Sequence, residues 1–351
     1  MSNNSSEYIS SILSKDLYID LLEWQIHVHC HQPEVISSIQ QLFNYRGRAF
    51  PWEIDKRLIC EVVSDYNQFD GLRRRIAFDG PTINIRPEVT IAYAFEGSHI
   101  WICVPNTAII ELDEASPHYS RIYLDDSSSP CLQSGHAMQR IRAEPEGFFY
   151  PLVVEWIRQF NACLIHCGAV AIGNKAVILS GPPNSGKSTQ VLRLVLRGAR
   201  FLADDLAILH NSDRGLKMMA FREVANVNRQ TLERFSELHH LEKAPLRSDG
   251  KYCIDIQTYF GQSACREAYP GLVIHLHPDS KPWIEPCPPE NILDNIHSMA
   301  WFFSKRDLTE RHFWLLTDWL LASSHLNVSQ GYLASYPEEF ISRIRKEIDF
   351  E

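Results

Sequence analysis

From Leu17 the chain alternates apolar with polar positions. Trp24, Ile26, Val28 and Cys30 fall on one side of an extended segment, and Gln25, His27, His29 and His31 fall on the other. That is the period of a strand with one buried face. Pro33 then opens a helix-period run in which Val35, Ile36, Ile39 and Leu42 share a stripe. The runs LICEVVSDY, PTINI, VTIAYAFEG, HIWICVPNTAIIEL and SRIYLDD read as further strands cut by Gly, Pro, Asp and Asn. DDSSSPCLQSGHA reads as a loop, and Pro145 to Ala162 as a helix whose apolar face includes Phe148, Phe149, Leu152, Val153, Trp156, Ile157 and Phe160. The pattern divides the chain into a tail over residues 1–16, a mixed α+β module over 17–147 and a second domain over 148–351.

In the second domain ACLIHCGAVAI and KAVILSG read as two strands joined by Gly173-Asn174, a hairpin dipeptide. Thr189 to Arg197 carries a helical stripe closed by Gly198, and ARFLADDLAIL reads as one strand bearing Asp204 and Asp205 on opposite faces. RQTLERFSELHHLE predicts a helix, GLVIHLHP a strand, ILDNIHSMAWFFSK and LTERHFWLLTDWLLASS helices, LNVSQGYLASY a strand and PEEFISRIRKEI a closing helix. The aromatics Trp301, Phe302, Phe303, Phe313, Trp314 and Trp319 read as core.

Composition narrows the classes. A 45% hydrophobic and 22% charged chain is ordinary for a globular protein, and a net charge of −9 excludes binding to nucleic acid or an anionic membrane by bulk charge. MSNNSSEY has no apolar signal core and no run of 18 apolar residues occurs, so a cytosolic protein is expected. Nine cysteines scattered singly through apolar stretches read as thiols rather than bridges.

Two stretches carry candidate chemistry. His27, His29 and His31 invite a zinc reading, since imidazoles two apart on a strand point the same way. No acidic or thiol residue in the neighbouring sequence completes the set, so the face reads as solvated. The stronger signal is Gly181, Gly186, Lys187 and Ser188 in the order G-x-x-x-x-G-K-S between an apolar run and a helical one. This spacing lets backbone N–H groups wrap a triphosphate, with the helix N-terminus aimed at the anion. Gly181, Pro182, Pro183, Asn184, Ser185, Gly186, Lys187, Ser188 and Thr189 would line that loop. Lys187 would reach the β- and γ-phosphates and Ser188 would ligate magnesium. The prolines and Asn184 narrow the shapes the loop can take. An Asp after a downstream strand is where a second magnesium contact is usually supplied, while Arg222, Arg247 and Lys251 are cations within the same domain.

His166 lies fifteen residues before Gly181, and Asp204-Asp205 begins twenty-three after it. With the loop between them and DGKYCIDI further on, residues 160–275 resemble the catalytic domain of the HPr kinase/phosphorylase family, and GYLASYPEEFISRI adds a weaker match near the end. The resemblance implies an α/β fold with a mixed sheet of the phosphoenolpyruvate carboxykinase type, and phosphoryl transfer from ATP to a serine hydroxyl with Mg2+. It implies Asp204 as general base beside His166, and Asp205 with Ser188 as magnesium contacts. Lys187 acts at the transferring phosphate by the loop spacing, and any of Arg222, Arg247 and Lys251 could bind the nucleotide phosphates, though each alone reads as a surface charge. Pro183 and Asn184 stand where that family has Ser and Gly, and its R-G-x-G stretch is absent. HPr as acceptor and the reverse reaction are therefore not implied. A protein or peptide serine is the expected acceptor, a small-molecule hydroxyl or a nucleotide-operated switch are the alternatives, and a homo-oligomer remains open.

Overall fold

The computed structural model describes residues 16–21, 24–43, 57–86, 89–125, 146–213, 215–221, 224–246, 250–261, 263–288 and 306–349. Residues 1–15, 126–145, Trp301, Phe302, Phe303, Arg222 and Arg247 lie outside these residues, and with them most of the expected tail, the loop expected over DDSSSPCLQSGHA and the helix expected over ILDNIHSMAWFFSK. The chain forms two units, 1–156 and 157–351.

The first unit holds β1 (Asp16–Leu21), β2 (Trp24–Cys30), α1 (Pro33–Phe43), β3 (Arg57–Ser64), α2 (Tyr66–Arg75), β4 (Thr82–Arg86), β5 (Val89–Glu96), β6 (His99–Val104), β7 (Ala108–Asp113) and β8 (Tyr119–Leu124). The strands make one mixed sheet in the order β1-β2-β3-β8-β7-β6-β5-β4. The run that begins at Leu17 is two antiparallel strands rather than one, with Leu21 paired to Trp24. HIWICVPNTAIIEL likewise folds into the β6–β7 hairpin, turned at Asn106. Alternation then sorts the faces. Ile26, Val28, Leu58, Val62, Ile102, Ile110 and Ile122 are at most 4% exposed, while their neighbours His27, His29 and Glu61 face the other way. Asp65 caps α2 by accepting from the amides of Asn67 and Gln68, and the helix lays Phe69 against Trp101, Ile109 and Tyr123.

A helix α3 (Glu146–Gln159) precedes the strands of the second unit, where β9 (Ala162–Ile165), β10 (Gly168–Ile172), β11 (Lys175–Ser180), α4 (Lys187–Leu196), β12 (Arg200–Ala203), β13 (Ala207–Ser212) and β14 (Gly215–Ala220) follow in turn. Then come β15 (Val224–Asn228), α5 (Arg229–Arg234), a 3-10 helix (Ser236–Lys243), β16 (Lys251–Asp255), α6 (Ile256–Phe260) and β17 (Glu267–His277). β18 (Ile284–Pro286), α7 (Arg306–Leu321), β19 (Ser324–Ser329), α8 (Gln330–Ser335) and α9 (Pro337–Asp349) complete it. The Gly173-Asn174 hairpin forms as expected, with Ile172 opposite Lys175.

The main sheet runs β12-β10-β11-β17-β14-β13-β9, with β19 pairing both β17 and β18. β11, β17 and β19 are parallel, so Ser180, His277 and Ser329 end at the same edge. Both faces are covered. Val177 and Leu179 pack with Val191, Leu192 and Val195 of α4 on one side, whereas Ala176 and Ile178 pack with Leu316 and Trp319 of α7 on the other. That double burial is why β11 reads as a continuous apolar run.

Five expectations in the second unit need correction. ACLIHCGAVAI breaks after Ile165 into β9 and β10, which pair with different neighbours. ARFLADDLAIL is broken at 204–206, where a bend links strands that pair with different neighbours. RQTLERFSELHHLE splits into α5 and the 3-10 helix. The second half of LNVSQGYLASY is helical because Ser329 accepts from the Tyr332 amide and caps α8. Phe313 and Trp314 are 43% and 61% exposed, on the solvent side of the helix that buries Trp319.

Candidate functional site

β11 delivers the chain at Ser180 to a six-residue loop that ends at the first residue of α4. Three of its residues have backbone that β-carbons disfavour: Gly181 at φ 142°, Asn184 at φ 63° and Gly186 at φ 96°. At Gly181 the requirement is also spatial, because a β-carbon there would stand 2.5 Å from the Leu276 carbonyl oxygen and 2.8 Å from Ser185 Oγ. The loop is thus pressed onto the end of β17, and Gln330 Nε2 of α8 donates to the Asn184 carbonyl at 2.8 Å.

Within the loop, Lys187 Nζ donates to the carbonyls of Gly181 and Pro182 at 2.8 and 3.1 Å. Burial lowers its pKa, opposed by the charges of Asp204 and Asp205. Lys187 therefore sits within electrostatic reach of both acids. Ser185 is fully buried and its Oγ has no hydrogen-bond partner, an arrangement costly enough to call for an explanation. Ser188 and Thr189 lie in the first turn of α4, and Thr189 Oγ1 lies 3.1 Å from Thr231 Oγ1.

Two chain bends meet beside Lys187. One joins β9 to β10 at His166-Cys167, and the other joins β12 to β13 at Asp204-Asp205. The pairs Ala169–Ala203 and Ile165–Ala207 hold them side by side, and the Cys167 amide donates to the Asp205 carbonyl at 3.2 Å. Asp205 has φ 79°, an unusual conformation for an acid outside a hairpin turn. Its Oδ1 is 3.1 Å from His166 Nε2, and the carboxylate is 51% exposed. Asp204 is only 3% exposed and its Oδ2 accepts from the Asn226 amide of β15 at 2.8 Å. The resemblance set His166 beside Asp204; the ring instead meets Asp205, because the bend turns the two acids to different surroundings. Burial pushes the Cys167 thiol up to about 12.

Lys251 opens β16, opposite Asn228 of β15, and its charge also acts on Lys187. Arg222 lies outside the described residues. The sequence reading missed Gln330, which it placed in a strand, and His275. The latter pairs in register with Ser180, its Nδ1 lies 3.4 Å from Ser180 Oγ, and burial, with His277 and Lys187 nearby, pushes its pKa down to about 4. The alternation in GLVIHLHP could have pointed to it, since His275 and His277 share a face at the strand's end.

No family model matches the chain, and no curated protein matches it. Among solved structures it is similar to the Hpr(Ser) kinase/phosphatase from Coxiella burnetii. Identity is 14% over 53% of this chain and 92% of that one, with a TM-score of 0.30. Two acids, a lysine, an imidazole and a glycine-bounded helix start converge on one edge of the sheet. Among the described residues no helix is long and apolar enough to cross a membrane.

Proposed function

We propose that the chain is an ATP-dependent phosphotransferase acting on a hydroxyl, with a serine of a protein or peptide as acceptor. The observation that carries the reading is Lys187, whose Nζ is held by the Gly181 and Pro182 carbonyls of a loop with three residues at positive φ and lies within electrostatic reach of Asp204 and Asp205. A charged lysine held by its own loop carbonyls, with two carboxylates in electrostatic reach, is what a phosphate chain would engage. Buried, unpartnered Ser185 Oγ and the amides at the start of α4 are further donors for anionic oxygen.

Oxygen donors at Ser188 and Asp204 fit magnesium, a hard cation that takes carboxylate and hydroxyl ligands. Bound there, the ion would offset phosphate charge. Lys187 balances negative charge at the phosphoryl group being transferred. Asp205 accepts the hydroxyl proton: it is the more exposed acid and is held by His166, whereas Asp204 is anchored by the Asn226 amide on the inner side. This reverses the split between the two acids that the family resemblance implies. His166 orients Asp205 and adjusts its basicity.

The test is incubation with γ-labelled ATP, magnesium and a library of serine-bearing peptides and proteins, with mass spectrometry of every product. Label on a serine hydroxyl is expected. Hydrolysis or binding without any labelled acceptor, in a screen that also includes small-molecule alcohols, would overturn the reading.

A further inference from the structure

We propose that Asp16, His27 and His29 on the first unit's sheet form a binding site for a divalent transition-metal ion of the zinc class. β1 and β2 pair with Asp16 opposite His29 and Tyr18 opposite His27, so the carboxylate of one strand stands over the H-x-H of the next. Asp16 Oδ1 lies 2.8 Å from His27 Nε2 and 2.9 Å from His29 Nδ1. The acidic partner that the neighbouring sequence lacks is thus brought from across the hairpin, eleven and thirteen residues away.

Three features favour a metal over a plain polar face. The donors are two imidazoles and a carboxylate, a set that suits zinc, cobalt or nickel better than magnesium or calcium. One ring is held, with Tyr18 stacked on His27 at 4.6 Å. Side-chain exposures of 26–39% leave room for water to complete the sphere.

Glu61 is opposite His29 on β3 but is engaged by Arg121 at 2.9 Å and by the Tyr119 hydroxyl. It stays outside the donor set and adds negative charge beside it. Among the described residues no three such donors are spaced to hold a metal ion; in this trio both ring nitrogens bond to the same oxygen, Asp16 Oδ1. Tetrahedral zinc bonds of about 2.0–2.2 Å separate donors by roughly 3.4 Å. Opening the two contacts to Asp16 by about half an ångström brings them to that spacing.

Chelator-treated full-length protein titrated with Co2+ and then Zn2+, followed by visible absorption and calorimetry, tests this. One saturable equivalent is expected, with the spectrum of nitrogen and oxygen ligation and no thiolate charge-transfer band. Asp16→Asn, His27→Gln and His29→Gln should each weaken affinity by about tenfold or more, while His31→Ala should hold it within about twofold of wild type. Zinc-induced shifts of the His27 and His29 ring resonances in the unaltered protein keep the proposal testable if a variant misfolds. Absence of saturable binding, a thiolate band, affinity unmoved by the three variants or unshifted His27 and His29 resonances would overturn it, as would an equal loss in His31→Ala.

Discussion

Asn106 and Asn184 have nearly the same backbone, φ 53° and φ 63°, and they serve different ends. Asn106 turns the β6–β7 hairpin of the first unit, where Thr107 donates back to the Val104 carbonyl, and its conformation is satisfied locally. Asn184 belongs to a group with Gly181, Gly186 and Asp205 whose unusual backbone gathers around Lys187. A left-handed residue in a tight turn follows from the turn alone. Several of them around a lysine and two acids hold groups where chemistry needs them, and the cost is offset by packing elsewhere.

Charge separates the two turns most sharply. Lys187→Ala should lower phosphoryl transfer by roughly 10³-fold or more, since it removes charge balance at the phosphate; an unchanged rate with the best acceptor would separate the loop from the chemistry. Asp205→Asn keeps shape and loses the proton acceptor, so transfer should fall by roughly 10²-fold or more with ATP affinity retained. Asp204→Asn should instead weaken magnesium-nucleotide affinity along with rate. If Asp204→Asn alone spares binding and stops transfer, the two acids exchange roles.

Stability should separate the same two kinds of turn. Gly181→Ala meets both the φ of 142° and the Leu276 carbonyl, so a loss of roughly 2–4 kcal/mol is expected by denaturant titration. Gly97→Ala, in a hairpin turn with open space around it and φ 63°, should cost only about 1 kcal/mol. Equal losses would mean that the close approach to β17 has no weight.

A smaller effect concerns pH. His275 and His312 in the second unit are pushed down to about 4 by burial, from an ordinary value of 6.5. Between those values the unfolded chain binds more protons, so stability should be full above about pH 6.5 and should fall as pH drops toward 4. His275→Gln should flatten that slope in pH-dependent melting curves. A slope identical to wild type would mean that His275 does not contribute.

Alternation made the first unit's sheet legible, because one face is buried and the other is polar, as at Ile26 and His27. The loop and helix at 181–196 were legible for a related reason: a glycine spacing and an apolar stripe are local signals. What stayed hidden was set by pairing across the chain. ACLIHCGAVAI and ARFLADDLAIL each read as one strand, yet each bends where its pairing partner changes, and those two bends bring His166 to Asp205. Gln330 was lost because Ser329 turns a strand-like run into a capped helix, and Asp16 was lost because its histidine partners lie across a hairpin.

Calorimetric titration of magnesium-ATP into wild type, Lys187→Ala and Asp205→Asn tests the central claim most directly. One equivalent should bind to wild type and to Asp205→Asn with similar affinity, and Lys187→Ala should lose about tenfold or more. No binding to wild type, or equal binding to Lys187→Ala, would contradict the assignment of the 181–188 loop as the nucleotide site.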